Sequence, residues 1–65
     1  MDYGKRIKEL REKAGMTQAD LAKVIGVDHS NISQIETGER GLNVKKADKI
    51  AAALGVTLND LMREG

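Results

Sequence analysis

Residues 18–37, QADLAKVIGVDHSNISQIET, narrow the possible folds of this chain more than any other stretch. Apolar residues recur at helical spacing on both sides of Gly26: Leu21, Ala22 and Ile25 before it, Ile32 and Ile35 after it. Two short helices joined only through Ile25, Gly26, Val27 and Asp28 must cross steeply, close to the turn itself. Bulky side chains at such a contact would clash, and Ala22 is small where the second helix approaches. Gly26 permits the positive backbone angle of the turn, while Leu21, Ile25, Val27, Ile32 and Ile35 supply a shared core. An alanine and a glycine four residues apart say little alone. With all five apolar positions in register, they meet the physical requirement of a helix-turn-helix.

The flanking sequence extends the helical pattern. Proline is absent throughout, no window alternates like a strand, and glycines at 15, 26, 38 and 55 fall where the helical period breaks. A first helix is predicted over roughly 3–14, with Tyr3, Ile7, Leu10 and Ala14 inward and Tyr3 plugging the core. Thr17 and Asp20 have the spacing of a capping box at the start of the second helix. Asp28 is expected to cap a third helix over about 29–37, and Asn43 a fourth over about 44–54. Thr57 with Asp60 repeats the box ahead of a short fifth helix ending near Arg63. The predicted fold class is all-α: one compact five-helix domain over residues 1–65, with its helix-turn-helix at about 18–37.

Composition removes several function classes. With no cysteine and one histidine, neither a disulfide framework nor a metal site is expected. No nucleophile–base pair or phosphate-cradling glycine loop is present, so no enzymatic activity, cofactor or small-molecule ligand is expected. No apolar run approaches the ~18 residues of a membrane span, and the chain is expected to be cytoplasmic. Eleven Lys+Arg against ten Asp+Glu leave a net charge of only +1, but the distribution is uneven. Lys5, Arg6, Lys8, Arg11 and Lys13 crowd the first helix, and Arg40, Lys45, Lys46 and Lys49 the stretch after residue 38. Residues 17–37 between them hold one lysine and three acids. Two basic stretches flanking a neutral surface suit a phosphate backbone, which responds to local charge; the same lysines could also merely solvate helix faces.

The third helix carries the functional signal. His29, Ser30, Ser33, Gln34 and Thr37 fall within an arc of about 140°, opposite Ile32 and Ile35. That outward face is polar, uncharged and short in reach, where an ordinary solvated helix would more often show Lys and Glu. Glutamine can pair with adenine N6 and N7, and serine or threonine with either kind of base edge. Gln18, in the first turn of the second helix, is placed where free amides can grip a phosphate oxygen.

These residues give the chain a resemblance to the lambda-repressor/Cro-type helix-turn-helix family over nearly its whole length. The match runs through Arg6-Ile-Lys-Glu-Leu-Arg11, Thr17-Gln18, Leu21-Ala22, Gly26-Val27 and Ile32-Ser-Gln-Ile-Glu36. It continues through Gly38, Ile50-Ala51, Leu54-Gly55-Val56 and Leu61, and departs at Leu42, where relatives often carry proline. The resemblance implies a transcription regulator, repressor or activator, that binds double-stranded DNA as a homodimer with its third helix in the major groove. It implies base contacts for His29, Ser30, Ser33 and Gln34, and phosphate contacts for Gln18, Thr37 and Arg40. Any exposed part of the Leu58, Leu61 and Met62 cluster is then a candidate dimer contact. It also implies an ion pair between Arg11, four residues after Ile7 on the inward stripe, and Glu36, beside Ile32 and Ile35. Two alternatives remain on sequence grounds: a protein-interaction adaptor on the same fold, and the DNA-binding module of an antitoxin or larger enzyme. The uncharged polar face of the third helix disfavours the adaptor, whose interface would want aromatic or aliphatic anchors.

Overall fold

The computed structural model describes residues 3–62. Its order is α1 (Tyr3–Lys13), α2 (Gln18–Ile25), α3 (His29–Thr37), α4 (Val44–Leu54) and α5 (Leu58–Met62). The expected end of the last helix near Arg63 lies outside the described residues. The helices enclose one core of Ile7, Leu21, Ala22, Ile25, Ile32, Ile35, Ala47, Ile50, Ala51 and Leu61. Tyr3, Leu10, Val27, Leu58 and others pack around it. The body measures 25 × 23 × 20 Å along its principal axes.

Local chemistry sets the helix ends. At α2, the Asp20 main-chain N–H donates to Thr17 Oγ1 at 3.0 Å, and Thr17 N–H donates to Asp20 Oδ2 at 2.9 Å. These two bonds hold the Asp20 carboxyl below the usual aspartate range. The same reciprocal box joins Thr57 and Asp60 ahead of α5, and Asn43 Oδ1 accepts from Lys46 N–H at 2.7 Å to cap α4. Asp28 corrects the sequence reading. It occupies the N-cap position of α3, but its side chain makes no capping bond. The Asn31 amide, which such a cap would serve, donates instead to the Asp28 main-chain carbonyl at 3.0 Å.

The first helix ends one residue earlier than expected, and Ala14 is exposed rather than inward. Gly15 adopts φ 72°, which carries the chain off the helix axis directly after Ala14. Arg11 takes the inward place instead and is buried. Gly4 has a role that periodicity did not expose. It is buried, and a Cβ there would lie 2.5 Å from the main-chain oxygens of both Ile35 and Glu36. The start of α1 thus sits directly on the end of α3, at a distance only glycine allows.

Candidate nucleic-acid interface

The turn between α2 and α3 fixes how the third helix is presented. Gly26 adopts φ 79° and ψ 36°, and its N–H and that of Val27 both donate to Ala22 O, at 2.8 and 2.9 Å. These bonds end α2 at Gly26, three residues before α3 begins at His29, and Ala22, 3% exposed, is buried in the core that both helices share. Ile32 and Ile35 are fully buried, which commits the opposite side of α3 to solvent. His29, Ser30 and Thr37 are exposed there, while Ser33 and Gln34 are half-buried. All five outward side chains of the sequence reading therefore share one accessible side of a nine-residue helix.

Behind that surface is a buried polar network. Arg11 Nε donates to Glu36 Oε2 at 2.7 Å and Nη2 to Glu36 Oε1 at 3.2 Å, a two-point pairing. Arg11 Nη1 donates to Met16 O at 2.7 Å, in the turn leading to α2. The side chains of Arg11 and Glu36 are 8% and 3% exposed, so each would suffer desolvation alone. The bond to Glu36 outweighs burial and pushes the Arg11 guanidinium above its already high range. No buried side-chain nitrogen or oxygen among the described residues lacks a partner.

Gln18 joins the same network. Its Nε2 donates to Glu36 Oε1 at 3.1 Å, which ties the first residue of α2 to the penultimate residue of α3. One amide hydrogen of Gln18 is thereby committed, and the second remains for an oxygen outside. Sequence reasoning placed Gln18 at the surface but had no signal for this tie, because eighteen residues separate the partners.

The expected phosphate-contacting groups are less uniform. Thr37 Oγ1 lies 3.2 Å from both Gln34 O and Glu39 Oε1, so its single hydroxyl hydrogen has acceptors within the protein. Arg40 is exposed and comes back over α3: its N–H donates to Gln34 O at 3.1 Å, and its Nε to Gln34 Oε1 at 3.0 Å. Gly38, at φ 85° and ψ 4°, makes that return possible. The carboxylate of Glu39 stands among these groups and opposes an approaching phosphate.

The picture of two basic flanks needs one correction, which concerns the arginines of α1. Arg11 is buried on Glu36, and Arg6 is half-buried, donating from Nε to Asp60 O at 3.2 Å. Both guanidinium groups of α1 therefore work inside the fold, tying α1 to α3 and to α5. On the other flank, Arg40, Lys45 and Lys49 are exposed, while Lys46 Nζ donates to Asn31 Oδ1 at 3.3 Å and braces α4 against α3. Lys5, Lys8 and Lys13 of α1 are exposed as well, so the first flank keeps its lysines and loses only its arginines. Among the described residues, no group of three or more metal-ligating side chains occurs, and no helix is long and apolar enough to cross a membrane.

Comparison with known proteins agrees with this geometry. The model of the helix-turn-helix family matches residues 7–61. The control protein C.MunI of a Mycoplasma species is 36% identical over 63 residues, spanning 95% of this chain and 85% of its own. The structure of the restriction-modification controller protein C.AhdI from Aeromonas hydrophila superposes with a TM-score of 0.90 at 33% identity. That overlap covers 94% of this chain and 92% of the other. The biofilm regulator SinR of Bacillus subtilis, crystallised in complex with DNA, gives 0.87 at 31% identity, covering 94% and 98%. The two solved structures share the lambda-repressor-like arrangement of helices. This chain belongs to the Cro/C1-type helix-turn-helix family of DNA-binding transcription regulators.

Proposed function

We propose that the protein is a non-enzymatic, sequence-specific transcription regulator, acting as a repressor in the cytoplasm and reading the major groove of duplex DNA with α3. The observation that carries this reading is the outward face of α3, where His29, Ser30, Ser33 and Gln34 stand accessible above a fully buried Ile32 and Ile35. A nine-residue helix is about 13 Å long, enough to follow roughly four base pairs. Gln34 and the serines supply base-edge bonding, and His29, at the first residue of the helix, reaches a base or a phosphate. Gln18, Thr37 and Arg40 position the helix on the backbone. Gln18 donates its remaining amide hydrogen, Thr37 turns its hydroxyl outward, and Arg40 uses its terminal nitrogens.

An adaptor would need an apolar anchor on this face. Among the described residues the exposed large hydrophobic side chains are Val24 and Val44, and neither lies on α3. The protein binds as a homodimer, with paired α3 helices one helical turn, about 34 Å, apart on one face of the duplex. Leu58 and Met62, half-exposed on α5, provide apolar surface for the partner copy.

The test is a selection of bound sites from random duplexes followed by a salt titration. The reading expects an inverted-repeat consensus and an affinity that falls steeply as salt rises, because each neutralised phosphate releases counterions. Binding indifferent to both sequence and salt would contradict it.

A further inference from the structure

We infer that Arg40 is a specificity-determining residue: it locks the Gln34 side-chain amide so that its NH2, a donor, faces the groove. Cytosine is thereby excluded at the base that Gln34 contacts. The inference rests on the reading of α3 as the base-reading helix and assigns one element of its selectivity.

Two bonds join the residues. The αL glycine Gly38 turns the chain back so that Arg40 N–H meets Gln34 O at 3.1 Å. The same turn lays the guanidinium across the helix end, where Nε donates to Gln34 Oε1 at 3.0 Å. Guanidinium has five N–H donors and no acceptor, so only the amide oxygen can face it. The amide is therefore fixed end for end, and no described residue bonds to its nitrogen. Gln34 is half-buried, which limits the other rotamers open to it.

A glutamine free to rotate can present either oxygen or nitrogen to a base, and so tolerates donors and acceptors alike. Held by Arg40, Gln34 turns its NH2 to the base. Guanine offers O6 and N7 in the major groove, adenine N7 and thymine O4, all acceptors, whereas cytosine offers only the N4 amine. Donor facing donor leaves both groups unpaired in a partly dehydrated interface, which is the costly arrangement. The Nη1 and Nη2 groups of Arg40 stay available to a phosphate, so one side chain can position the protein and set the amide together.

The experiment measures duplex affinity for the wild type, Gln34→Ala, Arg40→Ala and the double variant. The preferred site and its three variants at the position where Gln34→Ala loses discrimination serve as probes. The wild type should disfavour cytosine there by roughly 5- to 100-fold. Arg40→Ala should weaken every duplex and, in addition, reduce the penalty for cytosine to about 2-fold or less, leaving the other positions discriminated as before. The double variant should show no further loss of that ratio. If Arg40→Ala weakens all four duplexes by one common factor and preserves the penalty, Arg40 is a phosphate contact only and the inference fails. A wild type without base preference at any position would instead overturn the reading of α3, and this inference with it.

Discussion

Two side-chain pairs on α3 stand two residues apart and behave as opposites. Glu36 faces inward, is 3% exposed, and is held by Arg11, with Gln18 as a third member. Gln34 faces outward and meets Arg40 at an exposed helix end. Both pairs involve an arginine and a planar acceptor, yet burial gives them different uses. The inner pair cannot exchange its partners for water without large loss, so it fixes where α3 sits relative to α1 and α2. The outer pair is exposed and adds little to stability, and it leaves the Gln34 NH2 and the terminal nitrogens of Arg40 turned outward. One helix thus has a buried side that sets its position and an exposed side that the proposed function turns to DNA.

The largest test of this contrast is removal of one inner partner. Arg11→Ala or Glu36→Ala should destabilise the fold by roughly 3–5 kcal/mol, because the survivor becomes an unpaired buried charge. In so small a domain that is a large share of the total stability. Replacing both by apolar residues of similar volume should recover much of it, and a denaturation double-mutant cycle should show strong coupling. Coupling near zero would mean that the inner pair is no more fixed than the outer one.

Gly4→Ala tests the same side through packing alone. Its new methyl would meet the main-chain oxygens of Ile35 and Glu36 at 2.5 Å, and backbone cannot easily move aside. Thermal or denaturant unfolding should report a loss of about 1–3 kcal/mol, the range of an overpacked core. An unchanged midpoint would place α1 farther from α3 than described.

Effects on the outer side should be smaller and should appear in binding rather than folding. Glu39→Gln removes the carboxylate beside Thr37 and should raise duplex affinity by up to about 5-fold at low salt. The gain should fade as salt is added, and stability should hardly change. A loss of affinity would show that Glu39 supports the interface. The smallest effect is expected at the start of the helix. Asp28→Ala should shift stability by no more than about 0.5 kcal/mol, since no capping bond is lost, whereas Thr17→Ala should cost about 1 kcal/mol.

Why some features were legible and others were not follows from their range in the chain. The helix bounds for α3 and α4, the Thr17–Asp20 and Thr57–Asp60 boxes and the small Ala22 at the turn rest on neighbours within a few residues. Spacing alone reveals them. Gly4 carried one weak signal, a helix-disfavouring residue inside a helical stretch, but its reason lies on α3, more than thirty residues away. Arg6 read as a surface cation until its bond to Asp60 O, across fifty-four residues, placed it within the fold. Asp28 misled because residue type announces a cap, while the competing main-chain carbonyl is visible only in three dimensions. The pairing of Arg40 with Gln34 had no sequence signal at all, for it depends on how sharply the chain returns after Gly38.

The most direct test of the central claim compares affinity for the selected site with affinity for random duplex. It is made for the wild type and for a variant carrying His29→Ala, Ser30→Ala, Ser33→Ala and Gln34→Ala, with circular dichroism confirming that both are folded. The account predicts that the variant keeps its weak, salt-sensitive binding to any duplex while the ratio of specific to random affinity falls to about one. A folded variant that still prefers the selected site as strongly as the wild type would show that the outward face of α3 does not read DNA.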